Sequence, residues 1–273
     1  MITLNIRRVD RQNENTPILS NQQIDEFAHA VLADYKPKLL KEPGAVRFEH
    51  FLESYLGATI LYKDIYHDDP ERPIFGATAF RDSTLKVFDR ENNRIGSISV
   101  SANTVILDNF VMQSGKEGLA TFTGLHEAGH ILIHPGVYAN VCDGQMTLFG
   151  DIIEPMVCCH RENVENFGKK WGGKRTAKEW REHHADYFAA AIAMPSVTFM
   201  PFVRQLMREH DFRKGSIVLG HDADLDILAQ EILPDYISDV YGVSRQAAFI
   251  KLKKSDFVID SQTHARKEMQ LTI

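Results

Sequence analysis

The run His126-Glu127-Ala128-Gly129-His130 constrains this chain more than any other feature, because it carries chemical meaning only on a helix. Positions i and i+4 lie about 40° apart around a helix axis and one turn apart along it, so both imidazoles can reach one ion. The intervening glutamate, Glu127, lies roughly 100° round from His126, beside such an ion, where it can polarise a water. Leu119, Phe122, Leu125 and Leu132 give a packing face to a helix over roughly 117–133, and Pro135-Gly136 stops it. The chain has twelve histidines, so a chance match has to be weighed, and the reading needs a third ligand.

That ligand is available in Glu182-His183-His184-Ala185-Asp186, within a second helical run from about 176 to 194. His126, His130 and Glu182 would leave a fourth position open, as a catalytic zinc site requires. Asp186, one turn beyond Glu182, can accept a hydrogen bond from the distal nitrogen of a ligating histidine and fix its tautomer. The plainer alternative is a solvated helix face on which Glu182 and Asp186 pair with Lys178 or Arg181. His134 continues the four-residue step but reads as a helix-end residue favoured by the dipole; the three-histidine pattern would need its last ligand at 136, which is Gly. Cys142, Cys158, Cys159 and His160 are a rival metal set, although adjacent cysteines lack the spacing of a zinc clamp. Metal-assisted hydrolysis also needs an oxyanion donor, for which His160, His183, His184 and Tyr187 are candidates.

Around these blocks the texture predicts an α+β fold: a small, mostly antiparallel sheet packed with a helical core made of the two motif helices, and a helical C-terminal tail. Residues 1–19 read as an extended arm. Ser20 with Gln23 starts a helix carrying Ile24, Phe27, Ala28, Val31, Leu32 and Tyr35, and a second amphipathic stretch covers 46–56. Five β-prone runs follow at 58–62, 74–80, 85–88, 95–100 and 104–107, the last two expected to form a hairpin around Ser101-Ala102-Asn103. After Lys116 everything reads helical except a long segment over 134–176; three further helices are expected near 196–210, 222–241 and 245–254. The division is then arm 1–19, metal domain 20–200 and small helical region 201–273.

A net charge of -6 gives no positive field for nucleic acid or anionic membrane, and no stretch has the apolar length of a membrane span. Three cysteines, an odd number, fit a reducing compartment, so a cytoplasmic location is expected. Two rivals to catalysis stand beside the hydrolytic reading. Residues 235–254 can pass for a helix-turn-helix, and 242–273 carries six Lys/Arg against three acids. The other is a metal-binding module without turnover that grips a partner through 137–176.

The run Thr121-Phe122-Thr123-Gly124-Leu125 into His126-Glu127-Ala128-Gly129-His130, continued by Ile131-Leu132-Ile133-His134-Pro135, resembles the entry motif of the ImmA/IrrE metallo-endopeptidases. Glu182-x-x-Ala185-Asp186-x-Phe188-Ala189-Ala190 through Met194-Pro195 is similar to that family's second helix, and Val243-Ser244-x-x-Ala247-Ala248 to its helical tail. The resemblance covers roughly 45–255. Thr121 replaces a basic residue usual there, Gly124 is unfavourable in mid-helix by about 1 kcal/mol, and 137–176 is unusually long and cysteine-rich. The resemblance implies zinc on His126, His130 and Glu182, Glu127 as catalytic base, and a protein substrate, a DNA-binding repressor. Direct nucleic-acid or membrane contact is not expected. Manganese or iron can occupy a similar donor set.

Overall fold

A computed structural model describes residues 2–6, 8–10, 15–69, 73–138, 156–160 and 175–261. The chain opens with a short antiparallel pair, β1 (Val9–Asp10) and β2 (Thr16–Pro17), so the expected extended arm is folded back on itself here. Thr16 and Pro17 are buried, and Arg181 Nη1 donates to Thr16 Oγ1 at 3.1 Å, which ties the pair to the second motif helix.

Helix α1 (Asn21–Tyr35) starts at the expected capping box, with Ser20 accepting from the Gln23 amide. Its apolar stripe of Ile24, Phe27, Ala28, Val31 and Leu32 is wholly buried. A turn, α2 (Phe48–His50), runs into a π-helical segment over Phe51–Tyr55 and inserts Phe48, Phe51 and Leu52 into the core. Each such side chain contributes on the order of 2 kcal/mol by burial.

Five strands follow: β3 (Thr59–Lys63), β4 (Ile74–Ala79), β5 (Ser83–Asp89), β6 (Arg94–Val100) and β7 (Thr104–Asp108). The hairpin is β5–β6, not β6–β7. Asn93 takes a positive φ of 47°, and Asp89 accepts from the Asn92 amide and side chain, so the tight turn forms at 90–93. At Asn103 the chain instead leaves the ribbon, and β7 enters the main sheet parallel to β3 and antiparallel to β4.

The motif helices are α3 (Glu117–Ile133) and, after a helical turn α4 (Pro135–Tyr138), α5 (Ala177–Ala193). Between them lies an element the sequence reading had placed in a loop. Strand β8 (Met156–His160) pairs antiparallel with β4 and completes a four-stranded sheet in the order β3-β7-β4-β8. One of its three pairs is parallel and two are antiparallel.

Helix α6 (Ser196–Glu209), strand β9 (Ile217–Val218), α7 (Ala223–Ile227) with a π turn over Leu228–Ile232, α8 (Leu233–Tyr241), α9 (Arg245–Lys254) and strand β10 (Val258–Ile259) complete the described chain. β9 and β10 pair in parallel within what had been expected to be all helix. The boundary drawn at 200/201 falls inside α6, and one buried cluster runs across it from Ile24 and Phe188 to Tyr241, Leu252 and Val258. Among the described residues, no single helix is long and apolar enough to cross a membrane.

Candidate metal centre

Helix α3 buries nearly its whole length, with Leu125, Ala128 and Ile133 packed into the core and His126, Glu127 and His130 fully enclosed. Helix α5 begins at a capping box between Thr176 and Glu179 and brings Glu182 and Asp186 against it. The two backbones come close because residue 129 has no side chain: a Cβ there would stand 3.0 Å from Ala185 Cα. A single helix turn on each element thus supplies every expected donor.

His126 Nε2 lies 3.0 Å from His130 Nε2 and 3.4 Å from Glu182 Oε2, and His130 Nε2 lies 3.5 Å from Glu182 Oε1. Ligands about 2.0–2.2 Å from a tetrahedral ion are spaced about 3.3 Å from one another. The triangle therefore matches one ion, and these three buried groups lie close enough to hold one. Both imidazoles turn Nε2 inward because Nδ1 is held from behind. His126 Nδ1 is 2.9 Å from Asp186 Oδ1, as expected, and His130 Nδ1 is 3.1 Å from His134 Nδ1. With Nδ1–H of each ring given to Asp186 or His134, both imidazoles would offer Nε2 as a lone-pair donor to an ion.

His134 caps the C-terminal end of α3, as expected of a helix-end residue, but it is not a solvated one. It is fully buried, and burial holds its pKa well below the ordinary histidine value, as it does for His130. A neutral His134 can accept from His130 Nδ1–H and pass its own Nε2–H toward His184 Nδ1, 3.4 Å away.

Glu127 lies beside the triangle. Thr78 Oγ1 donates to its Oε2 at 2.6 Å, and its other oxygen, Oε1, is buried with no hydrogen-bond partner. Strand β4 passes so close that a Cβ on Gly76 would meet Oε1 at 2.7 Å. Burial, reinforced by the Glu182 charge, raises the Glu127 pKa from 4.5 to about 7, against the opposing effects of His126 and Thr78. A carboxylate poised near neutrality suits proton transfer.

The oxyanion candidates fare differently. His183 Nε2 is 3.2 Å from Asn21 Oδ1, and Tyr187 donates to Asp25 Oδ2 at 2.8 Å, so both serve the α1–α5 contact instead of the site. His184 is turned to His134. His160 ends β8, but its side chain, like Cys142 and most of 137–176, lies outside the described residues.

Cys158 and Cys159 alternate across β8, so they point to opposite faces and do not share an ion as the rival metal set required. Cys159 instead joins the main cluster: its sulfur, a His126 nitrogen and a Glu127 oxygen lie within 4.8 Å of one another. Cys159, His126 and Asp186 stand in the order of nucleophile, base and orienting carboxylate. Burial, however, pushes the Cys159 thiol up to about 12, the opposite of an activated nucleophile, and that reading leaves His130 and Glu182 without a task.

The helix-turn-helix residues form two helices joined at Gly242, with Ser244 capping α9. The turn packs on the start of α3, where a Cβ at Gly118 would stand 2.3 Å from the Ser244 nitrogen. Two of the counted cations turn toward the neighbouring helices: the half-buried Lys251 has its Nζ 3.5 Å from Ser196 Oγ, and the exposed Lys254 has its Nζ 5.9 Å from the centre of the Tyr187 ring. Thr78 and Gly76 are the site residues that sequence reasoning missed, while His134 and Cys159 were singled out there but given other roles, a helix end and a separate metal set. His134 carried the signal of a third step in a four-residue histidine series, and Cys159 that of a potential metal donor; Thr78 and Gly76 carried none. Compared with known proteins, the chain matches no family model and no curated sequence.

Proposed function

We propose that this protein is a metal-dependent endopeptidase with zinc on His126, His130 and Glu182. The observation that carries the reading is the conjunction of that donor triangle with Glu127, whose free oxygen is buried beside it. A structural metal site has no use for an uncompensated carboxylate at its edge, whereas a hydrolytic one needs a base there. Bound zinc would supply Lewis acidity, acidifying a water and polarising a scissile carbonyl.

The protein's own groups do the rest. Glu127 Oε1 takes the proton of the attacking water and returns it to the leaving amine, while Thr78 holds Oε2 and so aims the carboxyl group. Asp186 and His134 keep the two imidazoles in register from behind. The resemblance to ImmA/IrrE peptidases supports a protein substrate, and within that reading a DNA-binding repressor is the expected one. Cleavage of a peptide library, read by mass spectrometry, tests this. Glu127→Gln should keep its zinc and lose cleavage, and His126→Ala and Glu182→Ala should lose zinc. Undiminished cleavage by the Gln variant would rule out the mechanism.

A further inference from the structure

The folded-back N-terminal arm and helix α5 form between them a cavity of about 190 Å³. Asp10, Thr16, Pro17 and Leu19 line it from the arm, and Trp180 and His184 line it from α5. The His184 ring is 1% exposed, and only one of its nitrogens is engaged. Nδ1 faces His134 Nε2 at 3.4 Å, whereas Nε2 is buried with no hydrogen-bond partner. A buried polar atom left unpaired is costly, so an orphan in a cavity wall points to a missing partner.

The histidine chain fixes what that partner must be. When His130 gives Nε2 to an ion, its Nδ1–H points to His134 Nδ1, and His134 in turn gives Nε2–H to His184 Nδ1. His184 then carries its own proton on Nε2 and offers a donor. This ring stands two side chains behind the ion, on the far side of His130, so the cavity is not where a scissile bond would lie. The rest of the lining narrows the occupant further. Trp180, whose ring centre is 5.9 Å from that of His184, gives an aromatic wall, and Pro17 and Leu19 give apolar ones. Asp10 adds a carboxylate that disfavours an anion. A dry cavity of about 150 Å³ takes up benzene, so this volume suits one ring with a short substituent.

We propose that this cavity binds a small, neutral aromatic molecule carrying a hydrogen-bond acceptor, such as a carbonyl oxygen, which takes the His184 Nε2–H. An acceptor on the last ring polarises the whole chain and strengthens His130 as a ligand. Occupancy of the cavity and of the metal site therefore favour one another. The proton direction and this coupling rest on the metal-peptidase reading above; the cavity and its orphaned nitrogen do not.

Acetophenone is a suitable probe of the full-length, zinc-loaded protein, with toluene as its acceptor-free counterpart and benzoate as its anionic one. NMR follows the indole N–H resonance of Trp180, identified by its loss in Trp180→Phe. The expected result is a saturable shift with acetophenone, binding weaker by about tenfold for toluene or in His184→Phe, and none for benzoate. Zinc affinity, read by chelator competition, should rise roughly fivefold at saturating acetophenone. Should His184→Phe fail to fold, Leu19→Trp, which fills the cavity from the arm, should abolish the shift. Equal binding of acetophenone and toluene would overturn the His184 assignment and reduce the cavity to an apolar void. Zinc retained without any response to acetophenone would overturn the binding site and leave the metal centre standing. Acetophenone bound by a protein that retains no zinc would overturn the metal reading and the coupling, and leave the cavity standing.

Discussion

His134 Nδ1 stands 3.1 Å from His130 Nδ1, one helical turn beyond it, so the third histidine of the 126–130–134 series orients the second from behind. A ligand whose distal N–H is left unpaired in a buried site loses both orientation and basicity. His134→Ala should therefore weaken zinc binding roughly ten- to a hundredfold while leaving the protein folded. Competition with a chromophoric chelator measures this, and an unchanged affinity would reduce His134 to packing.

Asp186 does the same for His126 across helices, at 2.9 Å. The two supports differ in a testable way, because Asp186 contributes charge as well as geometry. Asp186→Asn keeps an acceptor oxygen for Nδ1–H and should lose about tenfold in zinc affinity, whereas Asp186→Ala should lose more, toward the hundredfold end. Equal losses in the two variants would mean that charge, not the hydrogen bond, is what counts.

The grouping of His126, His130 and Glu182 was legible in the sequence because helical periodicity converts spacing into direction. His126 and His130 must share a face if α3 is a helix, and the same holds for Glu182 and Asp186 on α5. What faced them across the sheet was not legible. Thr78 reaches Glu127 only because β4 has its particular register with β7, and Cys159 reaches His126 only because β8 pairs with β4. Strand pairing is a long-range choice with no local code, and a five-residue strand inside a long segment gives little periodicity to read. The misplaced hairpin has the same origin: both 90–93 and 101–103 carry turn residues, and only tertiary pairing decides which turn closes a ribbon.

Gly124 looked like a poor residue for mid-helix, and its neighbour explains it. A Cβ at 124 would lie 2.3 Å from Phe48 Cδ2, and that ring is buried where α2 meets α3. Alanine gains about 1 kcal/mol of helix propensity, but forcing a carbon into this contact costs about 1–3 kcal/mol. Gly124→Ala should thus be neutral to destabilising by up to about 2 kcal/mol, as read from its urea midpoint. Combining it with Phe48→Leu should recover part of the loss relative to Phe48→Leu alone. A clear gain in stability from Gly124→Ala by itself would contradict the packing.

Glu127 gives the protein stripped of metal a particular pH dependence. Its carboxyl titrates near 4.5 when unfolded and, through burial, at about 7 when folded. Between those values the folded state holds a proton that the unfolded state has released, so stability falls as pH rises. The stabilisation is complete below 4.5 and lost above about 7. At about 1.36 kcal/mol per pH unit the change is on the order of 3 kcal/mol. Glu127→Gln has no such proton to lose. With chelator present, the stability of the variant relative to wild type should increase between pH 4.5 and 8 by a quantity of that order, measured by urea unfolding at each pH. Parallel pH profiles for the two proteins would show that Glu127 is not held in the desolvated setting from which its role as a base was argued.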